Sequence, residues 1–481
     1  MFSLLPLNLQ VLNDRRQRLS DAFPQPVVLW AGRPPARNFA ANTYPFRASS
    51  HFLYFAGLPL EGAAIRLYQG ELELYWDEPP SKAALWQTLP PSRATIASHI
   101  GATAHYPLTE LPHRATGAAS LPHLDPRTAQ EQLNCLDRPV SLSQASISPS
   151  SEETGVGSLD RSLAEAIVHL RLCHDSFGLE HIRHALTVTI AAHEAGMRRS
   201  RTAQTEAQVR WAMEGVIGEH HCTCAYGSIV TTHGEVLHND RYTHPLTPGD
   251  LLLADVGAET PGGWAADLTR TWPVSGQFTT SQRDIYSIVL AAHDACIAAL
   301  KPGVEYRDIH LLGCQILTEG LVDLGILRGK PEDLVEQDIH ALFFPHGIGH
   351  LLGLDVHDME DLGDLAGYAP DRHRSDRFGL CYLRLDRPLQ TGMVVTIEPG
   401  FYQVPSILNP ARNPNSQFQI PNSQFQIPNS QFPINWERLA DFADVRGIRI
   451  EDDVLITPTG SEVLSAALPT SPEAIEEILQ T

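Results

Sequence analysis

Apolar residues recur at two different spacings along the chain, and the change from one to the other marks out its elements. Near the N-terminus, Val27-Val28-Leu29-Trp30 and Leu72-Glu73-Leu74-Tyr75-Trp76 read as short strands set among helical stretches. From about Arg161 to Arg199 the pattern is helical. Thr205 to Ile217 predicts another helix, with Val209, Met213 and Val216 on one face and Thr205 with Gln208 as a capping box. Ser281 to Leu300 predicts a third. Ile285, Ile288, Val289, Ala292 and Cys296 form its stripe, Asp284 completes its capping box, and Lys301-Pro302-Gly303 stops it. Between such helices the strand signals come in pairs, which predicts antiparallel hairpins and an α+β fold rather than a doubly wound parallel sheet.

One of these hairpins carries chemistry. Leu251 to Ala254 follows the turn Thr247-Pro248-Gly249-Asp250 and reads as a buried strand. A second strand, Ala265 to Val274, sets Asp267, Thr269 and Thr271 on one side at period two. Thr260-Pro261-Gly262-Gly263 supplies the turn between them. An apex at Pro261 places Asp255 opposite Asp267, with β-carbons roughly 4.5–5.5 Å apart. Carboxylates that close repel one another, so the pair calls for a cation.

Two further clusters extend the set. The stretch Phe344-Pro345-His346-Gly347-Ile348-Gly349-His350, continuing to His357, packs three histidines among glycines, which predicts a loop wall with close backbone approach. One of the three is read as a metal ligand and two as donors facing a substrate. Glu398 and Glu451 follow β-branched runs on the predicted strands Met393 to Glu398 and Ile448 to Val454. Buried carboxylates are costly unless they share a cation. Asp255, Asp267, His350, Glu398 and Glu451 thus form an oxygen-rich ligand set that suits two hard divalent cations such as manganese acting on one water.

Composition narrows the partners. A net charge of −21 argues against nucleic acid and anionic membranes, and no apolar run approaches the length of a membrane span. The apolar start lacks a basic leader and a cleavage site, and seven scattered cysteines give no disulfide framework, so a cytoplasmic location is expected. The grouping His220, His221, Cys222 and Cys224 is read as packed cysteine rather than a zinc site. With 481 residues, two or so domains are expected: residues 1–140, a Ser-, Gly- and acid-rich linker over 141–160, and residues 161–481. Within the last, PNSQFQI at Pro414–Ile420 recurs at Pro421–Ile427 and, as PNSQFPI, at Pro428–Ile434. This insertion, 414–434, is expected to extrude as a solvated loop from the tip of the hairpin joining Glu398 to Glu451.

The stretches VLHND around His238, LLLADVGAE, AADLTRTWPVSGQF, FFPHGIGHLLGLDVHD, GMVVTIEPGFY and GIRIEDDVLIT resemble the pita-bread metallopeptidases, and within them the aminopeptidase P and prolidase group. The resemblance is strong over roughly residues 165–465 and weaker through Tyr44 to Gly57, where it looks like the start of the family's N-terminal domain. It implies a pita-bread (creatinase/aminopeptidase-like) catalytic domain behind a smaller α/β N-terminal domain. It further implies that Asp255 holds one metal, His350 and Glu398 the other, and that Asp267 and Glu451 bridge both. His238 and His357 are expected to hydrogen-bond the substrate carbonyl and the tetrahedral intermediate. Glu398 is expected to relay a proton to the leaving imino nitrogen, and His346 and Arg449 to line the proline subsite.

The implied reaction is hydrolysis of an N-terminal Xaa-Pro bond, on peptides with proline second, by a homodimer or homotetramer. The alternative is an Xaa-Pro dipeptidase, because Arg384 in GLCYLRLDRPLQTGM stands where prolidases meet the free carboxylate. Metal-free relatives that only bind peptides form a third class, and retention of all five ligands argues against it.

Overall fold

The computed structural model describes residues 6–86, 88–142, 156–412 and 432–480. The chain divides into two compact units, residues 1–177 with 261–263, and residues 178–260 with 264–481.

In the first unit, strands Val27–Trp30, Ala64–Tyr68, Glu71–Tyr75 and Ala104–Tyr106 form one sheet in that order. The first three run antiparallel and the last joins in parallel. Val28, Trp30, Ala64 and Tyr75 project from it into a core completed by Leu111, Ala115 and Ala118. The helix Leu9–Ala22 buries two arginines. Arg16 donates to the carbonyls of Phe55 at 2.9 Å and Ile100 at 2.7 Å. Those carbonyls lie at the C-terminal ends of helices Ser50–Ala56 and Arg93–His99, where unpaired C=O groups and the helix dipole favour a cation. Most of the expected linker, 143–155, lies outside the described residues. The helix Val156–Arg171 occupies its end, and there the fully buried Asp160 pairs with Arg138 at 2.6 Å.

The second unit alternates helices with small sheets in which every strand pair is antiparallel, as the paired strand signals predicted. Its helix caps differ from expectation. The helix Thr280–Ala299 is closed by a Thr279–Gln282 box rather than by Ser281 and Asp284, because Ser281 and Thr279 both turn their hydroxyls to Asp444. The helix Glu206–Glu219 has no side-chain cap at Thr205. Gln208 accepts instead from the Gln204 N–H, while the fully buried Glu206 accepts from Thr231, Thr232 and the N–H of His244. That network ties down both ends of the 232–244 loop, which carries His238.

The Asp hairpin is shifted from its predicted register. Strand Leu251–Asp255 pairs with Thr269–Pro273 so that Asp255 faces Thr269, not Asp267. The reason is the turn: Thr260 N–H bonds Trp264 O and Glu259 bridges Ala265, which moves the apex from Pro261 to Gly262. Moving the apex by one residue moves every partner by two, so Asp267 stays on the same face as Thr269 by the period of a strand.

The glutamate pair lies in a ladder with a break. Val394–Ile397 pairs with Asp452–Ile456, and Gly400–Tyr402 with Gly447–Arg449, in one continuous register. Extended across the break, that register sets Glu398 opposite Glu451. The connection between these strands is more than a hairpin tip, since it contains helices Pro405–Arg412 and Trp436–Ala440. Residues 413–431, most of the repeat, lie outside the described residues. The end of the third unit does not behave as a solvated loop: Ile434 is buried and bridges Leu327, and Pro433 accepts from the Arg328 N–H. No helix among the described residues is long and apolar enough to cross a membrane.

Candidate active site

All ten residues singled out in the sequence line one cavity of about 290 Å³: His238, Asp255, Asp267, His346, His350, His357, Arg384, Glu398, Arg449 and Glu451. The floor is built where the Asp hairpin meets the broken ladder. Thr269 is the joint, since it faces Asp255 in one pairing and bridges Glu451 in the other. Its hydroxyl donates to Glu451 at 2.7 Å and accepts from Arg449 Nε at 3.1 Å.

His350 arrives from a loop zipped onto the Val394–Ile397 strand. Thr396 N–H donates to His350 O, Glu398 N–H to Ile348 O, and Leu352 N–H to Val394 O. Such contact requires glycine at 349, where φ is +157° and a β-carbon would stand 2.2 Å from Thr396 O. The His350 Nδ1–H donates to the Leu351 carbonyl at 3.0 Å, which fixes the tautomer and leaves the Nε2 lone pair for a ligand. That nitrogen lies 3.4 Å from Asp267 and 3.8 Å from Glu398.

The residues fit a cation site on electrostatic grounds. Donor atoms of Asp267, His350 and Glu451 lie within 4.8 Å of one another. Burial, then the charge of Asp255, pushes Asp267 up to about 8. Burial lifts Glu398 to about 7, and burial with the charge of Asp267 lifts Glu451 well above the usual carboxylate range. Four carboxylates share this space, and the buried guanidinium beside them, Arg449, is drawn to Asp255 at 2.5 Å. Added positive charge resolves such crowding, and the mixture of carboxylate oxygens with one imidazole suits a hard divalent ion.

Three residues that the sequence did not single out organise this floor. The Tyr226 hydroxyl lies between Asp255, at 2.6 Å, and Asp267, so one proton serves two carboxylates. Asp453 accepts the Asp267 N–H at 3.1 Å and holds that backbone in place. Tyr402 accepts from Arg449 at 3.0 Å and donates to His346 Nε2 at 2.9 Å. No local motif marks these residues. Tyr226 precedes its strand in a short connection, and only the register of Gly400–Tyr402 brings Tyr402 to Arg449.

His346 and Arg449, expected at the proline subsite, both line the cavity and are bonded within its wall. His346 donates its Nδ1–H to Gly347 O at 2.8 Å and accepts from Tyr402, so both ring nitrogens are engaged and it is not a free donor to substrate. Burial, helped by Arg449, drives its pKa down to about 3 and keeps it neutral. Arg449 is buried, with each of its three guanidinium nitrogens bonded to the protein.

At the rim, His238 is exposed, and His357 stands edge-on to His350 with its Nδ1 3.3 Å from Glu360. Arg384 also pairs with Glu360, at 2.7 Å. Arg387 is buried away from the cavity and donates to Tyr368 O.

Residues 180–458 match the family described as "Metallopeptidase family M24", and residues 12–122 match "Aminopeptidase P, N-terminal domain". The chain belongs to the M24 metallopeptidases. It is therefore a metallopeptidase that works with divalent metal ions, in the α+β pita-bread architecture behind an aminopeptidase P-type N-terminal domain. Among its relatives, "Probable Xaa-Pro aminopeptidase PEPP" of Podospora anserina is 31% identical over 90% of this chain and 88% of its own length. A protein of the same description from Pyrenophora teres f. teres is 32% identical over 90% and 86%. Among solved M24 structures, aminopeptidase PepP of Pseudomonas aeruginosa matches with a TM-score of 0.75 at 25% identity, covering 98% of both chains. Aminopeptidase P from E. coli with the inhibitor Pro-Leu matches at 0.75 and 26%, covering 99% of both.

Proposed function

We propose that the protein removes the N-terminal residue from peptides whose second residue is proline. The observation that carries this reading is the convergence of Asp255, Asp267, His350, Glu398 and Glu451 on one crowded floor in an M24 chain whose relatives bear the name Xaa-Pro aminopeptidase. These five would hold two divalent ions, and the oxygen-rich set favours Mn2+. Ions so held lower the pKa of water and polarise a carbonyl.

The rest of the chemistry belongs to side chains. His357, oriented by Glu360, and His238 at the rim present imidazoles toward a bound carbonyl, where they can donate as negative charge develops. Glu398 lines the cavity as a carboxylate, a group able to accept a proton and return it. The Xaa-Pro bond is a tertiary amide and leaves well only once its nitrogen is protonated, and Glu398 is positioned for that transfer. The Arg449–Tyr402–His346 chain keeps the wall beside Glu398 rigid.

A specific observation favours the aminopeptidase over the dipeptidase. A dipeptidase needs an arginine free to meet the carboxylate that follows proline. The two arginines at this rim are both engaged already, Arg384 by Glu360 and Arg374 by Asp364, each at 2.7 Å. A substrate carboxylate would have to displace one of those partners.

The test is product analysis with Mn2+-loaded protein on matched Xaa-Pro and Xaa-Pro-Yaa peptides. Release of free Xaa from the longer peptide is expected. Cleavage confined to dipeptides would transfer the assignment to the alternative, and no cleavage of either would overturn both.

A further inference from the structure

A second cluster of metal-ligating side chains lies outside the cavity. His310 and Cys314 stand one turn apart on the buried face of the helix Tyr306–Asp323, and His340 faces them from the short helical turn Ile339–Leu342. One donor atom from each lies within 4.8 Å of the others, and all three residues are buried.

Three details separate this cluster from ordinary packing. His340 is 3% exposed, and neither ring nitrogen has a well-formed hydrogen bond, the Val335 backbone being the polar group drawn to it. A buried imidazole so poorly bonded is costly. The space beside it offers no relief: a cavity of about 10 Å³ lined by Ile285, Leu317, Phe343 and Phe344 among others is too small and too apolar for a well-bonded water. His310 donates Nε2–H to the Gly379 carbonyl at 2.9 Å, the carbonyl support that metal-bound histidines commonly use; the Cys314 sulfur lies 3.5 Å from Nε2 and 4.0 Å from Nδ1, which keeps its lone pair. Gly379 packs so closely that a β-carbon there would stand 2.7 Å from His340 Nε2.

We propose that His310, Cys314 and His340 bind one thiophilic d10 cation, Zn2+ or Cu+, at a structural site separate from the catalytic ions. Thiolate with imidazole is the donor set such ions select, in contrast to the carboxylates of the active site. Binding forms a metal–sulfur bond and two metal–nitrogen bonds, and the thiol proton leaves to solvent. Zn2+ would take a fourth donor, whereas Cu+ is served by three and leaves the buried complex neutral. The ion would brace the active-site wall, since His310 lies 5.7 Å, ring to ring, from Phe344, whose other neighbour is His346 at 4.7 Å. Because the site is enclosed, loading belongs to folding.

The test uses the full chain produced in medium supplemented with Zn2+, Co2+ or copper, then dialysed against chelator. The catalytic cluster contains no sulfur, so a thiolate-to-cobalt charge-transfer band that depends on Cys314 reports this site and not the catalytic ions. The band is expected in wild type and in Asp267→Ala, and is expected to vanish in Cys314→Ala and in His340→Phe, the latter retaining the thiol. Asp267→Ala should keep one chelator-resistant ion per chain by elemental analysis, and the added Cys314→Ala change should remove it. Retained copper silent in electron paramagnetic resonance would assign Cu+, and retained zinc would assign Zn2+. No thiolate band, together with no chelator-resistant metal after growth in all three, would overturn the proposal.

Discussion

The Thr269 hydroxyl donates to a Glu451 carboxylate oxygen at 2.7 Å, joining two strands that lie 182 positions apart in the sequence. It links the Asp hairpin to the broken Glu ladder, and the Thr269 hydroxyl oxygen in turn accepts from Arg449 Nε.

Removing that hydroxyl should loosen the floor without unfolding it. Thr269→Val keeps the shape and β-branching but leaves Glu451 and Arg449 each one partner short. We expect metal affinity to fall about 10–100-fold, as for other groups that orient a ligand, with thermal unfolding little changed. Metal titration by calorimetry checks this, and unchanged affinity would remove Thr269 from the ligand-orienting network.

The crowded carboxylates give the metal-free protein a distinctive pH dependence. Asp267 and Glu398 have folded-state values raised to about 8 and about 7, well above the ordinary carboxylate range, chiefly by burial. A raised acid contributes stability that is complete below the unfolded value and is lost as pH rises through the folded one. Chelated protein should therefore lose Tm progressively from about pH 4 to about pH 8, and Asp267→Asn, which cannot ionise, should flatten part of that slope. Saturating Mn2+ should suppress the slope in wild type and leave Asp267→Asn inactive. Parallel Tm profiles for the two chelated proteins would contradict the cause assigned here.

Arg384 and Glu360 offer the sharpest probe of specificity. If Glu360 already satisfies Arg384, Arg384→Ala should change dipeptide and tripeptide cleavage by similar factors, acting mainly through the Glu360–His357 contact. A selective loss on dipeptides, with longer peptides spared, would mean that substrate carboxylate displaces Glu360, as a dipeptidase requires. Steady-state kcat/KM on the matched pair measures it.

The repeat can be shortened. Deleting Pro414–Ile427 removes two whole units and keeps the third, whose Pro433 and Ile434 bond to Arg328 and Leu327. Loop length costs only about 0.6 kcal/mol per doubling, so Tm and turnover should stay near wild type. Deleting through Ile434 as well should lower Tm by removing a buried side chain and a bridge. Equal Tm for the two deletions would show the anchor to be dispensable.

Much of this site is legible in the amino-acid sequence. Asp255, Asp267, Glu398 and Glu451 stand out because each carboxylate interrupts or ends an apolar strand, where an unpaired charge is too costly to be incidental. What escapes is whatever depends on which residue meets which. The turn at Gly262 decides that Asp255 faces Thr269, and no local preference at Pro261 reveals it. His346 reads as a donor until Tyr402, far along the chain, occupies its second nitrogen. The helix caps depart for the same reason: Asp444 takes the Ser281 hydroxyl and the Gln204 N–H takes the Gln208 side chain, both of which local spacing assigns to helix ends.

The glycine at 349 has a consequence for how this protein tolerates change. A β-carbon there would meet the Thr396 carbonyl and the Tyr306 hydroxyl at once, so even alanine pries the His350 loop from its strand. In a saturation library, position 349 should reject every substitution before His238 at the rim rejects any, although glycine contributes no chemistry of its own. Drift in this enzyme is bounded by the thickness of a backbone as firmly as by the identity of its ligands.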